Sequence, residues 1–401
     1  MSRKERIMLF ILACLNFTHI LDFMIMMPLG NFLMPHFNIS ARYFSQIVAA
    51  YPVSAFVSGL IAAFYVDGFD RKKVLLFAYS GFLIGTVCCG IAPGPGFLLA
   101  SRVITGLFGG LISAQVLSII ADIFPYEKRG RAMSAVFMAF SAASIFGIPI
   151  SLYLAKIISW HAPFIMIGIL GAFIIPMIAK YFPSVSGHLE QAEAERVSGL
   201  KNVFKDVFGN KSQVLALSLS GILMLGHFMI IPFINPYLEF NMGFSKDQTP
   251  MIYMVGGASS LASSFILGRM ADKYGKLRMF IICLTLSILP IFFITNVASA
   301  PFSLVLAVFA FWFTFSTGRN IPAQAMISTV VKPAKRGKFM SFNSSCQQLF
   351  TGLASVISGF IVTQNESGKI LRYGYVGFLS ATIVLSTIFI ARALARKQNL
   401  Q

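Results

Sequence analysis

One phrase is spelled twice, half a chain apart. Lys128-Arg129-Gly130-Arg131-Ala132-Met133-Ser134 returns as Lys335-Arg336-Gly337-Lys338-Phe339-Met340-Ser341. Gly337 follows Gly130 by 207 residues, and upstream the pair Ala114-Gln115 returns as Ala323-Gln324 at a separation of 209. His19 and Pro28 likewise return as His227 and Pro236, both at an offset of 208. A repeat of half the chain, in a sequence that is 57% hydrophobic and 11% charged, points to a membrane protein of two similar bundles. So few charges could not cover a soluble surface of this size.

Apolar runs of bilayer-spanning length recur throughout. We read twelve, at about 7–33, 43–66, 73–92, 96–123, 132–156, 161–182, 213–238, 248–271, 277–297, 302–330, 339–363 and 374–395. The expected architecture is all-α: twelve transmembrane helices in two pseudo-symmetric six-helix bundles. Residues 1–183 form the first bundle, 184–212 a polar linker on the cytoplasmic side, and 213–401 the second bundle.

The net charge of +18 invites a nucleic-acid reading, but its placement rejects one. Basic residues fall at the N-terminus (Arg3, Lys4, Arg6) and in alternate loops, such as Arg71-Lys72-Lys73 and Lys273, Lys276 and Arg278. The intervening loops hold few. This is the positive-inside asymmetry, and it puts both termini in the cytoplasm. The first span is too long for a signal-peptide core and lacks a small-residue cleavage site, so it reads as retained. Cys14, Cys88, Cys89, Cys283 and Cys346 all fall within apolar spans without metal spacing, and read as reduced packing residues. No nucleotide loop, zinc motif or paired intramembrane carboxylate is present, so neither an enzyme nor ATP-driven transport is expected, and no cofactor.

Gly268-Arg269-Met270-Ala271-Asp272-Lys273-Tyr274-Gly275-Lys276-Leu277-Arg278 lies between the second and third spans of the second half. It resembles the loop signature of the major facilitator superfamily. The first-half counterpart is degenerate: Ala63 replaces the first glycine, and Asp70 stands in Asp67-Gly68-Phe69-Asp70-Arg71 where a second glycine is usual. Arg102-Val103-Ile104-Thr105-Gly106-Leu107-Phe108-Gly109-Gly110 resembles the fourth-span signature of proton-coupled exporters in that family. Gly147-Ile148-Pro149-Ile150-Ser151, followed by Trp160-His161-Ala162-Pro163-Phe164, resembles the fifth-to-sixth-span segment of its arabinose and sugar-efflux exporters. Drug antiporters usually have adjacent Gly-Pro and a later Gly-Gly there.

The resemblance implies a cytoplasmic gate of Asp67, Arg71, Asp122, Gly268, Asp272 and Gly275, in which aspartates cap helix ends and pair with basic partners. Arg102, Gly106, Gly147 and Pro149 are implied as helix-packing positions. It also places spans 1, 4, 7 and 10 around a central cavity, which brings Asp22, His19, Gln115, His227, Arg319 and Gln324 toward it. Among acidic residues only Asp22 falls deep in an apolar span, and an intramembrane carboxylate is a functional candidate by default. His19 precedes it by three positions, on the same helix face. Asp22 is thus the expected proton carrier, with His19 or His227 as relay. Arg319 is expected either as its counter-charge or as a contact for an anionic or hydroxyl-rich substrate. Gln115 and Gln324 suit substrate contact or helix–helix hydrogen bonding.

The function expected from all this is export of a small organic solute (drug-like, sugar-like or purine-like) by proton antiport with alternating access. The partners are the solute, protons and the lipid bilayer, with no nucleic acid. The chain would act as a monomer in the inner membrane of a bacterium. The alternatives are a proton-coupled or facilitative importer, and a non-transporting sensor of the same fold.

Overall fold

The computed structural model describes residues 3–65, 68–124, 132–133, 136, 138–184, 208–331 and 336–398. Among the described residues, eleven helices are long and apolar enough to cross a bilayer. The first half contributes α1 (Arg3–Ile25), α2 (Gly30–Phe37), α3 (Ala41–Tyr65), α4 (Arg71–Gly90) and α5 (Pro95–Ile123). A span over Met138–Ile157 follows, in which a π-helical turn (Ala143–Gly147) leads into α6 (Ile148–Ile157), and then α7 (Ala162–Tyr181). The second half contributes α8 (Lys211–Phe228), α9 (Thr249–Tyr274), α10 (Lys276–Leu286), α11 (Ile288–Asn296), α12 (Phe302–Ser328), α13 (Arg336–Ile361) and α14 (Tyr373–Gln398). A two-residue strand pair, β1 (Thr363–Gln364) and β2 (Ile370–Leu371), forms a small antiparallel hairpin before α14. The linker expected at 184–212 lies outside the described residues over 185–207.

The remaining span of the expected twelve is α13. It has 26 residues but carries Ser341, Asn343, Ser344, Ser345, Gln347, Gln348 and Thr351, which lowers its hydropathy. A helix this polar is stable in hydrocarbon only when protein covers it. It packs along α3 of the first half and α8 of the second. Gln347 Nε2 donates to Ser220 Oγ at 2.7 Å. A Cβ on Gly352 would sit 2.5 Å from Val53, and one on Gly359 would overlap Ser45, so these glycines let α3 and α13 come close. The other seam between the halves joins the Met138–Ile157 span to α9, where a Cβ on Gly257 would meet Ser144 and Ile145 at 2.9 Å.

The repeated prolines lie where their helices are interrupted. α1 ends at Ile25, a turn carries Pro28, and the chain resumes as α2 at Gly30. In the second half, 3-10 and π turns surround Pro236. The two breaks meet: a Cβ on Gly30 would lie 3.2 Å from Pro236, and Asn235 Nδ2 donates to the Pro28 carbonyl at 3.1 Å. That carbonyl is the kind of acceptor a helix break frees.

The apolar core reveals how the halves relate. One cluster spans both, with Met26, Leu29 and Phe44 packed among Met229, Phe233 and Tyr237. The larger of the remaining clusters are confined to single halves. One runs through Leu12, Tyr79, Ile119 and Ile178, the other through Leu219, Phe280, Ile327 and Leu394. The bundles are therefore sealed at the end carrying both helix breaks, and keep separate cores toward the end carrying the chain termini. Asn31 Nδ2 donates to Glu239 Oε1 across the seal, Thr249 Oγ1 donates to the same oxygen at 3.0 Å, and Lys156 pairs with Asp247 at 2.5 Å.

Candidate functional site

In the first half, Asp22 is fully buried on α1 and faces Arg102 on α5, which is equally buried. Arg102 Nη1 donates to Asp22 Oδ2 at 2.6 Å, and Thr86 Oγ1 donates to Asp22 Oδ1 at 3.1 Å. The guanidinium also lies over the Tyr51 ring, 4.7 Å from its centroid. Tyr51 Oη is 2.7 Å from His19 Nε2, so ring, histidine and ion pair form one connected group on α1, α3, α4 and α5. Inside a bilayer such a charge pair is tolerable because each ion supplies what solvent no longer does.

Glycines build this site. A Cβ on Gly106 would fall 2.3 Å from the Tyr51 carbonyl, and one on Gly109 would fall 2.2 Å from Tyr51 Oη. A Cβ on Gly85 would fall 2.9 Å from the Thr105 backbone nitrogen. Small residues thus let α5 press onto α3 and α4 at the level of the ion pair. Gly106 sits at this close approach, and Arg102 is the partner of Asp22, reaching inward and not toward the membrane surface. Gly147 closes the π turn against Leu21, its Cβ position 2.7 Å from that side chain, and Pro149 follows directly within the same continuous span, where a proline without an N–H accompanies the π turn.

The second half has a different constellation in the matching place. Arg319 on α12 is fully buried and donates through Nη1 to Ser287 Oγ at 2.6 Å. Its Nη2 lies 3.1 Å from His227 Nδ1 on α8, and the His227 ring stacks on Trp312 at 5.2 Å. The alternative in which Arg319 neutralises Asp22 is therefore corrected: each arginine bonds within its own bundle. Phe23 of α1 and Phe228 of α8 approach to 5.9 Å between the two groups.

The offset that aligns His19 with His227 sets Asp22 against Ile230; the offset that aligns Gln115 with Gln324 sets Arg102 against Phe311 and Gly110 against Arg319. A repeated frame thus carries unrepeated charges. Gln115 is buried with Oε1 unpartnered among the described residues, and Gln324 is half-buried on α12.

The expected gate is only partly visible. Asp67 and the side chain of Asp122 lie outside the described residues. Arg71 is buried in the first turn of α4, whose cap is Asp70: its Oδ1 accepts the Lys72 N–H at 2.7 Å, and Oδ2 accepts from Ser184. Asp272 is exposed at the end of α9. Gly275 joins α9 to α10 at φ +95°, where only glycine is unstrained, whereas a Cβ on Gly268 would meet nothing within 4 Å.

Reading residues one at a time missed Thr86, Tyr51, Ser287 and Trp312, none of which is unusual in a span. Arg102 was ambiguous for a physical reason. It sits near a span end, where a long cationic side chain ordinarily reaches back to the interface.

Comparison with known proteins agrees with this architecture. The Major Facilitator Superfamily profile matches residues 12–226 and again 216–399. An uncharacterised transporter of that superfamily from Bacillus subtilis is 26% identical over 320 residues, covering 80% of each chain. A Helicobacter pylori protein named as a "probable sugar efflux transporter" is 22% identical over 329 residues, 82% of this chain and 80% of its own. Among solved structures, an inward-facing bacterial homologue of the human lysosomal transporter Spinster superposes with a TM-score of 0.77 at 13% identity, covering 99% and 98% of the two chains. With two successive matches to one profile that together cover most of the chain, and a helical membrane fold of the same kind, the chain belongs to the Major Facilitator Superfamily and is a multi-pass membrane transporter.

Proposed function

We propose that the chain exports a small organic solute by proton antiport, and that Asp22 carries the proton. The observation that carries this reading is the Asp22–Arg102 pair, sealed within the membrane and bound by one short contact. When the bundles rock and water reaches the pair, a proton can bind an Asp22 oxygen. The neutral carboxyl then holds Arg102 by a weaker hydrogen bond, and the cation becomes free to shift. Return to the sealed arrangement restores the ion pair only after the proton has left. Tyr51 and His19 flank this group, the Tyr51 ring lying against Arg102 and its hydroxyl 2.7 Å from His19 Nε2, which makes His19 the nearest titratable neighbour of the pair.

The basic end, where the termini and the separated cores lie, is cytoplasmic on the positive-inside rule. The host membrane is the bacterial inner membrane. Residues 1–183 and 213–401 are the rocking bodies, joined by 184–212, and one chain suffices for a path between them. Solute contacts come from both walls: Gln115 in the first half, His227, Arg319 and Gln324 in the second. The named function of the Helicobacter relative supports the outward direction.

The test uses inside-out vesicles with an imposed acid-inside gradient and a pH-reporting dye. Solutes are added to wild type, Asp22→Asn and Asp22→Glu. A solute that discharges the gradient in wild type and in Asp22→Glu, but not in Asp22→Asn, supports the reading. Discharge by Asp22→Asn at the wild-type rate removes Asp22 from coupling.

A further inference from the structure

We infer that the second-half group is a binding site for an organic anion, with Arg319 as the counter-charge of the ligand. This rests on the transport reading only for the direction in which the ligand moves. A buried cation needs a partner, and the two halves answer that need differently. Arg102 has Asp22. Arg319 is just as deeply buried, yet among the described residues it forms no ion pair; its contacts are one hydroxyl and one imidazole nitrogen. An uncompensated buried charge is strongly disfavoured, and a fold that retains one keeps it for something that brings the opposite charge.

The surrounding groups agree in sign. Among the described residues, Arg319 Nε and Trp312 Nε1 are buried donors without a partner, and Ser316 Oγ on the same face of α12 is another buried orphan. His227 accepts from Arg319 through Nδ1, which leaves its proton on Nε2 and makes it a further donor. Among the described residues, buried donors on this stretch of α12 thus outnumber the acceptors that answer them, with Asn320 Oδ1 the one buried acceptor left over beside them. The walls are aromatic: the Trp312–His227 stack, Phe228 edge-on to His227 at 5.3 Å, and Phe23 beyond it. That lining suits a carboxylate on an apolar or ring-shaped body, not a bare inorganic ion. Lipophilic cations, which a carboxylate-lined cavity would favour, are disfavoured beside an unpaired guanidinium.

The chain's two tryptophans are Trp160 and Trp312, so Trp160→Phe leaves Trp312 as the sole reporter. The full chain in lipid nanodiscs is titrated with matched pairs: cyclohexanecarboxylate against its carboxamide and against cyclohexylamine, and glucuronate against glucose. A carboxylate is expected to change Trp312 emission saturably, with Kd at least about tenfold below that of its neutral partner and with this preference abolished in Arg319→Met. Neutral partners binding equally well, or carboxylate preference retained in Arg319→Met, overturns the assignment. Chloride or inorganic phosphate giving the same saturable change would identify an inorganic-ion site and also overturn it.

Thermal unfolding gives a readout independent of the probes. Arg319→Met should raise Tm, because it removes an uncompensated charge, while Arg102→Met should lower it. A fall in Tm for both would make Arg319 a structural donor and sink the proposal. Neither readout needs proton flux. Carboxylate binding without gradient discharge would keep this site and remove the antiport reading; discharge by amines without carboxylate binding would do the reverse.

Discussion

Asp22 and Arg102 are worth most when considered as a pair. Removing either alone strands a charge in the membrane, so Arg102→Met should cost about 3–5 kcal/mol of stability, and the double variant Asp22→Asn/Arg102→Met should recover much of that loss. Unfolding of the two single variants and the double variant in detergent checks this as a cycle; additive losses would mean that the pair is not coupled. Tyr51→Phe should cost less, about 1 kcal/mol, since it removes one hydrogen bond to His19 and keeps the ring over the guanidinium. Of these residues, Asp22 and His19 were legible in the sequence as proton-coupling candidates, Arg102 only as a helix-packing position, and Tyr51 not at all. A carboxylate deep in an apolar run announces itself by its desolvation cost. An arginine near a span end does not, because interface and interior leave the same local pattern. Arg319 was legible as a charge in a span, but not as an unpaired one, because pairing is decided by which helix faces it.

At the scale of helices, close packing governs which substitutions matter. Gly106→Val would drive a side chain into the Tyr51 carbonyl and should destabilise by about 1–3 kcal/mol while misplacing the ion pair. Within the loop motif the two glycines should separate. Gly275→Ala is strained at φ +95° and should cost about 1–2 kcal/mol, whereas Gly268→Ala meets open space and should be nearly silent in a thermal-shift comparison. The span pattern was readable because bilayer thickness sets helix length, and the repeat marked the halves. α13 was predicted over 339–363 and observed over Arg336–Ile361, although its polar residues leave it the least apolar of the twelve. The helix breaks were legible from Pro28 and Pro236, but their use was not. They seal the two halves together, a relation between bundles that no single segment records.

The whole molecule is built as two bodies joined at one end. The apolar core shared by the halves lies there, and its polar contacts include Asn31 with Glu239, Asn235 with the Pro28 carbonyl, and the exposed Lys156–Asp247 pair. Exposed pairs contribute little, so Lys156→Ala should leave Tm almost unchanged. Spin labels placed at 156 and 247 should report one short distance in the conformation described and a second, longer one when the seal opens. Glu239→Ala should enrich the longer population, since Asn31 and Thr249 lose their shared acceptor. The central claim is that opening lets Asp22 exchange its salt bridge for a proton. Infrared difference spectroscopy of the reconstituted protein across a pH titration tests this most directly. The account predicts a protonated-carboxyl stretching band that appears as pH falls and is missing in Asp22→Asn. A spectrum identical in wild type and Asp22→Asn, over the range in which solute discharges a proton gradient, would contradict it.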